Sequence, residues 1–323
     1  MESEGRAIAA DNWTADHNAY TTLASAIENN SIPGLQECLG LARGFFDDDE
    51  YAQFRDEAFQ DILSHHSTDL LFYMLDNEGV PLTNVNPSSI FSWASKSLID
   101  ALTSRGWDVN TPSPPAFNGT RLLDFFVRAQ HGKEDLAYWL VQEKGATVTS
   151  GGSYLPGGGR AVQVPILETC AAYGTVSMFT FLEREGARLA PRILHVAVEM
   201  AADEGVDPDY DLSQQPQCSH HIRVQMLHYL IDQRQLSVNS MDTDIYPDGI
   251  YLGNTFWGTP ICYAARRKRG AQVVRWLLKK GADPTLKGTC TDMDAIDCAR
   301  EAQCHGIVAI LEDWRLERNE HKA

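Results

Sequence analysis

Apolar residues along this chain recur at spacings of three and four, in runs too short for long helices. Val273, Val274, Leu277 and Leu278 fall on one face of a helix. Similar clusters stand at Trp139-Leu140-Val141, at Met178-Phe179 with Phe181-Leu182, and at Ile307-Val308 through Leu311. Three of these second helices run into a Gly-Ala pair, at Gly145-Ala146, Gly186-Ala187 and Gly281-Ala282. Glycine commonly takes the left-handed conformation that closes a helix C-terminus. A first short apolar helix precedes each run, so the predicted unit is two helices, a tight turn between them, and a closing glycine. Neither helix buries its face alone, so neighbouring units must stack.

The clearest unit begins Thr259-Pro260-Ile261-Cys262-Tyr263-Ala264-Ala265. Pro260 suits the first turn of a helix, where its missing N–H has no partner to lose. Ala264 and Ala265 are small and let the next layer come close. The stretch from Pro165-Ile166-Leu167 through Cys170-Ala171 and Gly174 to Gly186-Ala187 follows the same order. Weaker copies occupy Leu122–Ala146 and Ile90–Asn110.

These residues resemble the ankyrin repeat, whose pattern is roughly Thr-Pro-Leu-His, paired alanines, a Val-Val-x-Leu-Leu run and Gly-Ala-Asp. Residues 258–287 follow it nearly throughout, with one extra residue in the basic turn Arg266–Arg269. In residues 165–187 Glu168 replaces the motif histidine, and Leu194-His195-Val196-Ala197 looks like the same element with Met226–Ile231 as its second helix. Asp294–Ala299 with Ile307–Leu311 resembles a closing repeat, Leu23–Asn29 with Ile32–Leu41 an opening pair, and residues 51–86 a further, diverged pair. The resemblance implies an all-α, ankyrin-like solenoid of about eight helix-turn-helix repeats. It would cover residues 16–318 as a single array, with residues 1–15 and 319–323 as flexible ends.

Four inserts interrupt this array, at Thr111–Asn118, Gly151–Gln163, Ala202–His221 and Met241–Trp257. In the family's geometry three of them become fingers beside a concave groove. The insert at 202–221 separates the two helices of one repeat and should project from the opposite rim. Inserts in repeat proteins map to loops that often form the binding face.

Charge narrows the partners. The 323 residues carry 27 Lys and Arg against 44 Asp and Glu, a net charge of −17. Grip on nucleic acid comes from neutralising phosphates with Lys and Arg, so an acidic chain is a poor candidate for it. Residues 258–323 carry a small positive excess centred on Arg266-Arg267-Lys268-Arg269. That run reads as a solvated turn, an import signal or a docking patch for an acidic segment. The acidic remainder favours a basic or neutral partner. Seven cysteines, an odd number scattered from Cys38 to Cys304, suit reduced thiols in an intracellular compartment, cytoplasmic or nuclear. The first residues, with Glu2 and Glu4, lack the apolar run of a secretory signal, and eighteen consecutive apolar residues occur nowhere. No membrane association is expected.

Candidate chemistry is thin. Gly151–Arg160 invites a phosphate-loop reading, yet Gly158 and Gly159 stand where a Gly-Lys pair is needed. Asp242–Gly249 looks superficially like a calcium loop, with Tyr246, Pro247 and Gly253 at positions that call for a ligand, a glycine and a glutamate. Cys218-Ser219-His220-His221 offers metal-binding atoms but no second pair nearby in the array. Cys170 and Cys262 fall at inner-helix positions, and His195 at the site where the motif imidazole braces backbone. No catalytic residue, metal or cofactor is expected, and the chain is read as a non-enzyme.

Aromatics in the inserts are the better clue, because rigid aromatic side chains dominate interface hot spots. Trp107 follows Gly106, and Tyr154, Tyr246, Tyr251, Phe256 and Trp257 crowd the two long inserts. Phe256 and Trp257 suit packing onto the adjoining helix; Tyr246 and Tyr251 suit packing or contact equally. The expected function is a protein-interaction scaffold or adaptor holding a protein or peptide on the concave face and fingers. Trp107, Tyr154, Asp244, Tyr246, Asp248 and Tyr251 are its expected contacts. The alternative is a small-molecule-binding or enzymatic variant using a pocket where Glu168, His195 and Tyr154 converge.

Overall fold

The structure is a computed structural model that describes residues 18–114, 119–149 except 129 and 131, 153–154, 160–161, 164–210, 219–242, 257–289 and 291–320. It is mostly helical. Strand pairing in the described residues is one two-residue antiparallel ladder, Ser153–Tyr154 against Arg160–Ala161, with Ser153 opposite Ala161. The chain divides into two compact units after Pro114.

The first unit holds α1 (18–28), α2 (Ile32–Phe45), α3 (Asp48–Ser64), α4 (Thr68–Asn77), α5 (Pro87–Ile90) and α6 (Lys96–Ser104). Polar caps start these helices where the apolar pattern alone is vague. Ser31 Oγ accepts from Gly34 N at 3.1 Å, and Ser95 Oγ from Leu98 N at 3.2 Å. Asp47 and Glu50 form a reciprocal capping box at the start of α3. Helix α2 packs on α3 and α4, and α3 on α4 and α5. Leu35, Phe54, Phe59, Ile62, Leu70 and Ile99 are fully buried in this unit.

Trp107 corrects an expectation. Expected as a contact, it is instead 4% exposed, and its indole Nε1 donates to Val85 O at 2.9 Å. A tryptophan whose one donor finds a carbonyl partner belongs in a core, and Trp107 presents nothing to a partner.

The second unit holds α7 (Leu122–Phe126), α8 (Glu134–Lys144), α9 (Ile166–Tyr173), α10 (Val176–Arg184), α11 (Ile193–Glu204), α12 (Ser219–His228), α13 (Pro260–Ala265), α14 (Ala271–Lys279), α15 (Ala295–Glu301) and α16 (His305–Glu320). The first helices of successive pairs lie one on the next, α9 on α11, α11 on α13, α13 on α15. Their second helices follow, α10 beside α12 and α14 beside α16. Small residues permit this approach: Ala171, Ala197, Ala201, Ala264, Ala265 and Ala299 are all buried at these faces.

The closing bond also repeats. Gly281 is left-handed at φ +89°, and Ala282 N donates back to Leu277 O at 2.9 Å. The same bond joins Ala187 N to Leu182 O, and one a residue longer joins Ala146 N to Leu140 O behind left-handed Gly145. Helix α12 instead continues through a π-helical turn, Tyr229–Gln233, and closes with Gln235 at φ +55° while Leu236 N reaches Leu230 O. The closing geometry is therefore kept where its usual glycine is absent. The insert between α11 and α12 is shorter than the sequence suggests, because α11 runs on to Glu204 and α12 begins at Ser219.

Candidate functional site

Two inserts of the second unit leave it from fixed roots. A long insert between stacked pairs breaks the backbone ladder, so buried N–H and C=O groups at its ends need partners from elsewhere. Each root supplies them with a buried charged side chain.

The root of residues 243–257 is Asp242, which is wholly buried. Its backbone N donates to Gly258 O at 3.0 Å, and Gly258 N returns a bond to both carboxylate oxygens, each at 3.0 Å. Tyr263 Oη, one turn into α13, donates to Asp242 Oδ2 at 2.6 Å. Burial pushes this carboxyl above its ordinary value, against the lowering pull of the Tyr263 hydroxyl and the Gly258 N–H. Gly258 sits at φ +112°, and a Cβ there would lie 2.9 Å from Gly288 Cα in the next layer. Only glycine fits both the conformation and the contact.

His195 on α11 lies behind this root. It is fully buried, its ring meets the Tyr263 ring edge-on with centroids 5.2 Å apart, and its Nε2 bonds Ser240 O at 3.0 Å. Since Ser240 O only accepts, Nε2 carries the proton. Burial drives the imidazole pKa down to about 4, with the nearby Arg192 charge adding to the shift. Asn239 ties the same segment to the following layer, accepting from Asp283 N at 2.7 Å and donating to Gly281 O at 3.1 Å.

The segment leading to residues 151–163 is held by Arg121, which is 4% exposed. Its Nε donates to Asp124 Oδ2 at 3.3 Å. Its Nη1 spreads over Thr147 O at 3.0 Å, Thr147 Oγ1 at 2.9 Å and Thr149 O at 3.3 Å. Asp124 also accepts from Arg121 N at 2.8 Å, so one carboxylate both starts α7 and neutralises the guanidinium.

Neither Asp242, Tyr263 nor Arg121 stood out as a root in the sequence. The signal available was weak: a buried tyrosine needs a partner for its hydroxyl, and Tyr263 lies on an otherwise apolar helix beside an acidic insert. Of the expected contacts, Asp244, Tyr246, Asp248 and Tyr251 lie outside the described residues, as does the side chain of Tyr154, whose backbone pairs with Arg160. Trp257 is half-buried with the Arg266 guanidinium 3.3 Å above its ring.

Two groups of the alternative pocket, Glu168 and His195, are buried and bonded to backbone. Glu168 is 1% exposed and its Oε1 accepts from Arg192 N at 3.3 Å. Burial raises the Cys170 thiol well above its ordinary value, which keeps it protonated and unreactive. Among the described residues no three His, Cys, Asp or Glu side chains group to hold a metal ion, and no helix is long and apolar enough to cross a membrane.

Residues 258–289 match the ankyrin repeat family model. This segment, from the Gly258 root through α13 and α14, is an ankyrin repeat, a unit that generally mediates protein–protein interaction and is typically non-enzymatic. No curated protein matches the chain.

Proposed function

We propose that this protein is a non-enzymatic interaction scaffold, an ankyrin-like solenoid of about eight repeats whose concave face and inserted fingers hold a protein or peptide. The observation that carries the reading is the Asp242–Gly258 root. It fastens an acidic, aromatic insert to the one repeat that matches the family model. Holding the ends of a loop in place lowers the ordering cost of association.

The partner is basic or neutral, since residues 1–257 carry the whole acidic excess of the chain. The contacts are Tyr246, Tyr251, Asp244 and Asp248, with Tyr154 on the neighbouring insert. An intracellular setting suits the free thiols of Cys38, Cys170, Cys262, Cys298 and Cys304, all buried and unpaired by disulfides. The enzymatic alternative draws no support from Glu168 and His195, which are buried and bonded to backbone.

The test uses the full chain as bait, identifies the captured protein, and measures its affinity by titration. Tyr246→Ala with Tyr251→Ala should weaken binding at least about 10-fold, the loss of two modest hot spots. Unchanged affinity would reject this site.

A further inference from the structure

The turn between α13 and α14 carries four consecutive cations, Arg266-Arg267-Lys268-Arg269, and they do not share one fate. Arg266 is used: it stacks on Trp257 and pairs with Glu301 on α15. Arg267 pairs with Glu199 on α11 and sits 3.8 Å from Asp203. Its Nε is buried and has no acceptor among the described residues. Lys268 and Arg269 are exposed and make no ion pair with any described residue.

The turn itself is fixed. Gly270 N donates to Arg267 O at 2.8 Å, and a Cβ on Gly270 would lie 2.3 Å from Ala264 O. The aliphatic stem of Arg269 lies against Gly205 at the end of α11, where a Cβ would come within 3.1 Å of the Arg269 Cβ. Side chains 266–269 and Asp203 line a concavity of about 440 Å³.

We infer that this concavity is a second interaction surface, separate from the fingers, and that it takes a short acidic segment of a partner protein. Two exposed cationic residues line it with donors to spare, Lys268 and Arg269. Carboxylates match guanidinium groups in charge and planar geometry. The neighbours decide against a nucleic acid. Glu199, Asp203 and Glu301 stand at the turn and repel a long polyanion, and affinity for a phosphate track needs many cations in line. They leave room for two or three carboxylates placed at the turn. On a chain of net charge −17, such a local positive spot also sets orientation, because an acidic segment is repelled from the rest of the surface.

The test is titration of the full chain with a fluorescent octaglutamate peptide at low salt, with a 20-base-pair DNA duplex as the competing polyanion. The wild-type chain should bind the peptide and release it as salt rises. The double charge reversal Lys268→Glu with Arg269→Glu, at two exposed positions, should weaken that binding at least about 10-fold and leave the melting temperature unchanged. Arg269→Lys should retain most of it. The Tyr246→Ala, Tyr251→Ala chain should bind octaglutamate like wild type, so that failure of the finger site and failure of this one are separable. No peptide binding, equal binding by the charge-reversed chain, or tighter binding of the duplex would overturn the inference.

Discussion

The two insert roots of the second unit meet the same need with opposite charges. At one, Arg121 reaches across its helix pair and donates to the carbonyls of residues 147 and 149. At the other, Asp242 accepts the Gly258 N–H and the Tyr263 hydroxyl. The difference follows from which backbone groups are left over. The segment 147–149 leaves carbonyls facing inward and calls for a donor; the Gly258 end leaves an N–H and calls for an acceptor. A root is therefore chosen by the orphaned backbone, and the sign of its charge carries no message about the partner outside.

That comparison can be broken at either end. The largest effect is expected from Arg121→Ala, which leaves Asp124, 6% exposed, without its counter-charge. Removing one member of a buried ion pair costs about 3–5 kcal/mol, read as a shift in the urea unfolding midpoint. Asp242→Ala strands the Gly258 N–H and the Tyr263 hydroxyl instead. Each buried donor left unpaired costs about 1–3 kcal/mol, so a loss near 3 kcal/mol is expected by the same measurement. If Arg121→Ala proves the milder change, the guanidinium is not the fastening.

Acid probes the Asp242 root more finely. The His195 imidazole behind the Asp242 root has its pKa pushed down from an ordinary 6.5 to about 4. Below pH 6.5 the unfolded chain takes up a proton that the folded chain refuses until about pH 4. Stability is thus full above 6.5 and falls across that window. At about 1.4 kcal/mol per pH unit the limit is roughly 3 kcal/mol. Asp242 works the other way, since its raised pKa favours the fold as it protonates. His195→Gln, able to keep a donor for Ser240 O, should flatten the acid loss or reverse it, and a slope unchanged from wild type would show that His195 is not its source. The smallest effect is expected from Tyr263→Phe, which removes one of several donors to Asp242, for about 1 kcal/mol.

How much of this the sequence discloses depends on how far apart the cooperating residues stand. Thr259–Asp283 is legible because each residue acts within its own turn: Pro260 opens α13, Val273 and Leu277 face inward, and Gly281 closes α14. Helix α12 is harder to read, since Gln235 takes the closing conformation without glycine. Trp107 misleads because nothing local shows that Val85 O waits for its indole N–H. Asp242 is visible only as the first residue of a segment that superficially resembles a calcium loop. Its meaning rests on Gly258 and Tyr263, 16 and 21 positions away. The basic turn reads as one block of charge until Glu301 and Glu199 claim half of it.

Amide hydrogen exchange at Gly258 in the free chain tests most directly whether the insert root is fixed before any partner arrives. The account predicts strong protection of that amide, comparable to Leu277 in α14, and its selective loss in Asp242→Ala while Leu277 stays protected. Exchange of Gly258 at the rate of an unstructured peptide in the wild-type chain would contradict it.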